Sequence, residues 1–127
     1  MIIIGGGPAG YTAALYAARA GFDTLVLERL SAGGQMALTH LIDNYPGFEE
    51  GVDGFTLADK MKKQAERFGA KSKTAEVVHL DLAAEPKRME TASGTLLGRT
   101  VVLATGANPR EVGVEKETEL VGRGVAY

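Results

Sequence analysis

The chain opens on a β-branched run, Met1–Ile4, that ends in three consecutive glycines, and Pro8 then begins an alanine-rich segment. Strand, tight turn and helix must follow one another in that order. Proline suits a first helical position, where its missing N–H costs nothing, and Gly21 is placed to stop the helix as a left-handed cap. A helix over 8–20 is thereby bounded at both ends. From Ala9 to Ala20 only Thr12 and Arg19 break a mostly apolar surface, so the helix is expected to be covered on most sides, as in a sheet-packed layer. Thr24–Leu27 is a second apolar, β-rich strand that ends at Glu28. Together these elements form a βαβ unit with a parallel crossover.

Within that unit Gly5-Gly6-Gly7-Pro8-Ala9-Gly10 fits G-x-G-x-x-G, and Ala14 adds a small residue one turn further along. The first glycine makes the turn, the second admits a pyrophosphate to the backbone, and the third lets helix and strand pack closely. A helix start also offers unpaired N–H groups and a positive dipole end to phosphate. The hexapeptide alone is weak evidence. Here it follows a strand, opens a helix and has Glu28 at the end of the next strand, 18 residues after Gly10 (28 − 10), which is the context a dinucleotide site requires. Glu28 can accept both hydroxyls of an adenosine ribose and repel a 2′-phosphate, which favours NAD or FAD over NADP. The motif does not choose between NAD and FAD.

Beyond the unit, Ser31–Gly54 has little periodicity but carries Gly33, Gly34, Pro46, Gly47, Gly51 and Gly54. A loop of that length in a compact domain is usually functional. Phe55, Ala58, Met61, Ala65 and Phe68 recur at helical spacing, with Asp59, Lys60, Lys62, Lys63, Glu66 and Arg67 on the other face and Gly69 as the stop. Short β-like runs follow at 71–74, 77–82, 87–91 and 96–99, the last three reading as an antiparallel meander. Thr100–Leu103 is a buried parallel-type strand leading into Ala104-Thr105-Gly106-Ala107, whose small residues let a backbone approach a ligand. No period is evident from Asn108 to Tyr127. With 127 residues the chain is one domain or part of one, and a compact fold of its mass exposes roughly 6,500 Å². The expected class is α/β: a Rossmann-like parallel sheet with a small antiparallel β-meander.

Composition narrows the chemistry. The net charge is −2, and no basic cluster is denser than Lys60-Met61-Lys62-Lys63, so nucleic acid is not an expected partner. No apolar run reaches the ~18–20 residues of a membrane span, and a cytoplasmic protein is expected. There is no cysteine, which excludes disulfides, zinc–thiolate sites and a dithiol relay within these residues. His40 and His79 lack metal-spaced or triad-like neighbours and read as surface histidines.

Several further stretches stand in the order found in one flavoprotein family. Gly5–Gly10 with Tyr11-Thr12-Ala13-Ala14, Gly33-Gly34-Gln35, Asn44-Tyr45-Pro46-Gly47, Ala104-Thr105-Gly106-Ala107 and Gly122-Arg123-Gly124-Val125 resemble the thioredoxin reductases, specifically the low-molecular-weight bacterial type. In that family an NADPH domain is inserted into the FAD domain, and this chain is similar to the first FAD segment. The resemblance divides it into 1–107, the first segment of an FAD-binding domain, and 108–127, a linker toward the NADPH and redox domain. The FAD/NAD(P)-binding fold would then be incomplete in these residues. A strand of its sheet would come from elsewhere, leaving an edge that invites pairing.

By resemblance, Gly5, Gly7, Pro8, Ala9 and Gly10 form the pyrophosphate cradle, and Glu28 holds the ribose. Gly33, Gly34 and Gln35 line the phosphates and flavin, and Asn44 approaches the isoalloxazine. The backbone near Val77 meets the adenine, while Ala104, Thr105 and Gly106 pass beside the cofactor. The resemblance further implies a parent that uses NADPH, FAD and a thioredoxin-like disulfide protein, and that assembles as a homodimer. Two other readings stay open: a nucleotide-binding fragment without turnover, and a thioredoxin-reductase-like ferredoxin–NADP reductase, which shares the flavin fold but has no redox disulfide.

Overall fold

The computed structural model describes residues 1–126; Tyr127, the end of the expected linker, lies outside the described residues. Strand β1 (Ile2–Ile4) leads through the glycine turn into helix α1 (Pro8–Arg19), and β2 (Leu25–Glu28) follows. A 3₁₀ turn at Gly34–Leu38 interrupts the long loop before α2 (Gly54–Arg67). Then come β3 (Lys71–Thr74), β4 (Val77–Asp81), β5 (Lys87–Thr91), β6 (Gly94–Gly98) and β7 (Val101–Leu103), with a single turn of helix, α3 (Glu117–Leu120), in the tail.

Two sheets result: a parallel one of order β3-β2-β1-β7 and an antiparallel one of order β4-β5-β6. Register sorts the apolar side chains. Ile3 stands opposite both Val26 and Val102, and these point to the helical side, where they meet Tyr11, Ala14, Ala18 and Ala65. Ile2, Leu27 and Val101 point the other way, onto Met89, Leu80 and Leu96 of the meander. The parallel sheet is thus the middle of three layers. Full burial of Ile3, Val26 and Leu27 stabilises by roughly 1.5–3 kcal/mol each.

The expected α/β class, the parallel unit and the meander are all present. Five details differ. The last strand, expected to be of the buried kind over 100–103, is Val101–Leu103 with none of its residues buried, because it stands at the edge of the sheet with β1 as its one neighbour among the described residues. Helix α1 buries one stripe, Gly10, Tyr11, Ala14, Ala17 and Ala18, while Tyr16 is 63% exposed, because α1 has the sheet below and α2 beside it and nothing above. In α2 the buried set is Gly54, Leu57, Ala58 and Ala65; Phe55 and Phe68, at the two ends of the helix, are exposed. Strand β6 starts at Gly94 rather than Leu96, pairing Gly94 with Thr91. The tail, expected to be irregular, contains α3, where Glu117 accepts hydrogen bonds from the backbone N–H groups of Val112, Gly113 and Val114 at 2.8, 2.6 and 3.3 Å.

The accessible area is 8637 Å², well above the roughly 6,500 Å² of a compact monomer of this mass. The surplus reflects open sheet edges and extended loops. Among the described residues no helix is long and apolar enough to cross a membrane.

Candidate dinucleotide site

The carboxyl ends of β1, β2, β3 and β7 lie along one side of the parallel sheet, and the turns that leave them form the site. Gly5 is left-handed, with φ of 110°, and a Cβ there would stand 2.1 Å from the carbonyl oxygen of Ala104. At Gly10 a Cβ would stand 1.8 Å from the Gly5 carbonyl oxygen. Protein geometry alone demands both glycines. Gly7 differs: its φ of −78° and ψ of −176° suit any residue, and the nearest atom to its absent Cβ is the Gly33 carbonyl oxygen at 4.0 Å. Gly34 lies alongside, a Cβ on it standing 3.8 Å from the Gly7 Cα. Nothing in the protein requires Gly7 to lack a side chain, so its bare backbone fits a group that approaches from outside.

Three loops are fastened together beside Gly7. The Gly33 N–H donates to the Gly6 carbonyl at 2.7 Å, and the Ala104 N–H to that of Ile4 at 2.8 Å. Gln35 Nε2 donates to the Ala107 carbonyl at 2.7 Å and reaches Asn108 Oδ1 at 3.3 Å. The Gly33-Gly34-Gln35 and Ala104–Ala107 stretches are therefore brought together beside the Gly5–Gly10 turn. Pro8 occupies the first position of α1, whose N-cap Gly7 supplies no side-chain cap, and Ala9 is exposed. The first-turn N–H groups therefore have no capping side chain at Gly7, which leaves a helix start of the kind that can take an anion. Thr105 and Gly106 are exposed, and no atom lies within 4 Å of the Gly106 Cβ position.

Glu28 ends β2 beneath this turn and is only 3% exposed. Its Oε1 accepts from the Tyr11 hydroxyl and from Lys62 Nζ at 3.4 Å. Ser72 Oγ lies 3.2 Å from the Tyr11 oxygen. Since the single phenolic proton goes to the carboxylate, the Ser72 hydroxyl donates to Tyr11. Burial first, and the hydrogen bond to Glu28 second, push the Tyr11 phenol well above its ordinary value, so it remains a donor at neutral pH. Neither Tyr11 nor Lys62 is singled out as a site residue by the sequence. A phenol on the Tyr11, Ala14, Ala18 stripe signals a buried hydroxyl in need of a partner, whereas the half-buried Lys62 carries no local signal and falls on what reads as the solvent face of α2.

Val77 begins β4 three residues beyond Thr74, which pairs with Glu28, and its side chain packs in the core beneath the meander. Its backbone is thus near the Glu28 end of the sheet. Asn44 lies elsewhere, in an exposed loop whose residues Asp43–Glu49 line a shallow open cleft. Among the described residues no hydrogen bond joins it to the glycine turn. No group of His, Asp and Glu among them could hold a metal.

A glycine turn between a parallel strand and a helix, with an acidic residue at the end of the adjacent strand, defines a dinucleotide-binding protein of the doubly wound type. The chain belongs to the pyridine nucleotide-disulphide oxidoreductase family, whose model matches residues 1–127. It is 48% identical over 127 residues to the bifunctional thioredoxin reductase/thioredoxin of Mycobacterium leprae, covering 99% of this chain and 28% of that protein. To the thioredoxin reductase of Streptomyces coelicolor it is 46% identical over 129 residues, covering 100% of this chain and 40% of the relative. The thioredoxin reductase of Lactococcus lactis, solved in the FR conformation, superposes with a TM-score of 0.84 at 40% identity, over 99% of this chain and 41% of that one. The chain spans about 40% of the length of the thioredoxin reductases it matches.

Proposed function

We propose that this chain is the FAD-binding part of a thioredoxin-reductase-like flavoprotein, whose parent enzyme uses NADPH to reduce a thioredoxin-like disulfide protein in the cytoplasm. The observation that carries the reading is Gly7: a glycine with ordinary backbone angles and an open Cβ position, at the point where the motif needs a bare backbone. Bound flavin would supply the hydride and electron transfer, the protein contributing position and electrostatics.

In this reading Gly5, Gly7, Pro8, Ala9 and Gly10 hold the pyrophosphate with backbone N–H groups and the α1 dipole. Glu28 accepts the ribose hydroxyls. Gly33, Gly34 and Gln35 exclude water from one side of the phosphates, and Ala104, Thr105 and Gly106 bound the other. Asn44 orients the isoalloxazine and the backbone at Val77 meets the adenine. A homodimer is the assembly proposed for the parent. The absence of cysteine from all 127 residues favours one second reading for the chain itself, a nucleotide-binding unit without turnover.

The test is an absorption spectrum of the purified chain after incubation with FAD and removal of free cofactor. Retained flavin bands, near ~380 and ~450 nm and shifted by the site, support the reading. A folded chain that retains none overturns it.

A further inference from the structure

Both hydrogen bonds that the protein makes to the Glu28 carboxylate fall on Oε1. They come from two neighbouring helices, Tyr11 from α1 and Lys62 from α2. None of the described residues donates a hydrogen bond to Oε2. Among the described residues, however, no fully buried side-chain oxygen lacks one, so Oε2 keeps an opening to solvent. It lies beside Gly6, 3.1 Å from the position a Cβ there would take. The same Cβ would stand 2.5 Å from Glu28 Cγ, so the glycine turn closes over the acidic side chain and limits its rotamers.

We propose that Tyr11 and Lys62 are positioning residues of the nucleotide site: by engaging Oε1 from within the helical layer they fix Glu28 so that Oε2 is left to accept a hydroxyl hydrogen bond from an adenosine ribose. The inference rests on the FAD reading above and adds to it the source of the carboxylate's order. Lys62 places its ammonium 3.4 Å from Oε1 of a carboxylate that is only 3% exposed, and so offsets part of the desolvation of that buried group. Tyr11, itself held by Ser72 on β3, supplies direction: its ring is locked in the core at 1% exposure, so its hydroxyl is a fixed point. A carboxylate already oriented loses no rotamer freedom when the ribose arrives, which is how a supporting shell contributes to affinity.

The parent chain and the variants Tyr11→Phe, Lys62→Met and Lys62→Arg are titrated with FAD and with the FAD analogue that carries 2′-deoxyadenosine. The readout is the ratio of the two dissociation constants, which a purely structural role does not move. The parent is expected to prefer FAD by about tenfold, the scale of one hydrogen bond to a charged group. In Tyr11→Phe and Lys62→Met the ratio is expected to fall toward unity, and Lys62→Arg should restore it. Lys62 is half-buried, so its variants keep the test alive if Tyr11→Phe does not fold. Parent-like ratios in the folded variants overturn the proposal while leaving the FAD reading intact. So does a parent that binds FAD tightly with a ratio of one. A folded parent that binds no FAD removes the FAD reading and this inference together.

Discussion

The missing Cβ of Gly10 would stand 1.8 Å from the carbonyl oxygen of Gly5, so the first turn of α1 rests directly on the backbone of the glycine loop. No rotamer change can relieve that contact. Gly10→Ala is expected to destabilise beyond the ~1–3 kcal/mol usual for overpacking, because the obstruction is main chain. Gly7→Val, whose Cβ would meet nothing nearer than the Gly33 carbonyl oxygen at 4.0 Å, is expected to melt like the parent and to lose FAD. Thermal melts paired with FAD titrations check both, and a folded Gly7→Val variant with parental affinity would falsify the cradle assigned to Gly7.

Glu28→Ala is expected to weaken FAD by roughly 1–3 kcal/mol, the range for losing a hydrogen bond to a charged partner. Titrations with FAD and NAD, corrected for the folded fraction, measure it. The variant also removes the partner of Lys62 and leaves the Tyr11 hydroxyl with Ser72 alone, so a lowered melting temperature should accompany the loss. Tighter binding of NAD than FAD by the parent would turn the reading toward a dehydrogenase.

Much of this site is legible from the sequence because its key positions are set by local rules. Gly5, Gly10, Pro8 and Glu28 are placed by a strand, a turn and a helix that follow one another, and the residues that must be glycine there are recognisable one by one. The fastening of the loops is not legible. Gln35 meets Ala107 across 72 residues of sequence, and Lys62 meets Glu28 across 34; the first contact exists only once the 3₁₀ turn and the segment after β7 have come together, the second only once α2 has docked over the sheet. The same reason explains Phe55 and Phe68, whose helical spacing matches a buried face although the helix outruns the layer that covers it. Phe68 instead carries Arg19 and Arg67 over its ring at 5.6 and 4.9 Å.

Alkaline pH should expose the Tyr11–Glu28 pair. The phenol's folded pKa is raised above its ordinary value of 10.0, so its contribution to stability is complete below pH 10 and is lost as pH climbs toward the folded value. The unfolded chain gives up that proton first, and unfolding is favoured accordingly. Denaturant midpoints measured from pH 8 to 11 should therefore fall more steeply for the parent than for Tyr11→Phe above pH 10. Parallel curves would show that neither burial of the phenol nor its bond to Glu28 raises its folded value.

The two edges of the parallel sheet differ in how they resist pairing. Strand β3 carries Lys71 and Lys73, whereas β7 is Val101-Val102-Leu103 with Leu103 56% exposed. An unguarded apolar edge is a template for another strand. Concentration-dependent association is expected through β7, and Leu103→Lys should reduce it in sedimentation velocity runs. Unchanged association in that variant would move the contact elsewhere.

Activity separates an enzyme from a binding unit most directly. Reduction of a protein disulfide through a flavin needs a nicotinamide site, the flavin and a thiol pair within reach of one another. Only the flavin part can be traced in these residues, since there is no cysteine and no second G-x-G-x-x-G follows a strand after Gly10. The 127-residue chain loaded with FAD is therefore expected to show no NADPH-dependent disulfide reduction above that of free flavin. Steady-state assays with a disulfide substrate, run beside Gly7→Val and an FAD-only control, measure this. Turnover that disappears in Gly7→Val and is absent from the control would mean that the chain passes electrons to a disulfide without thiols of its own.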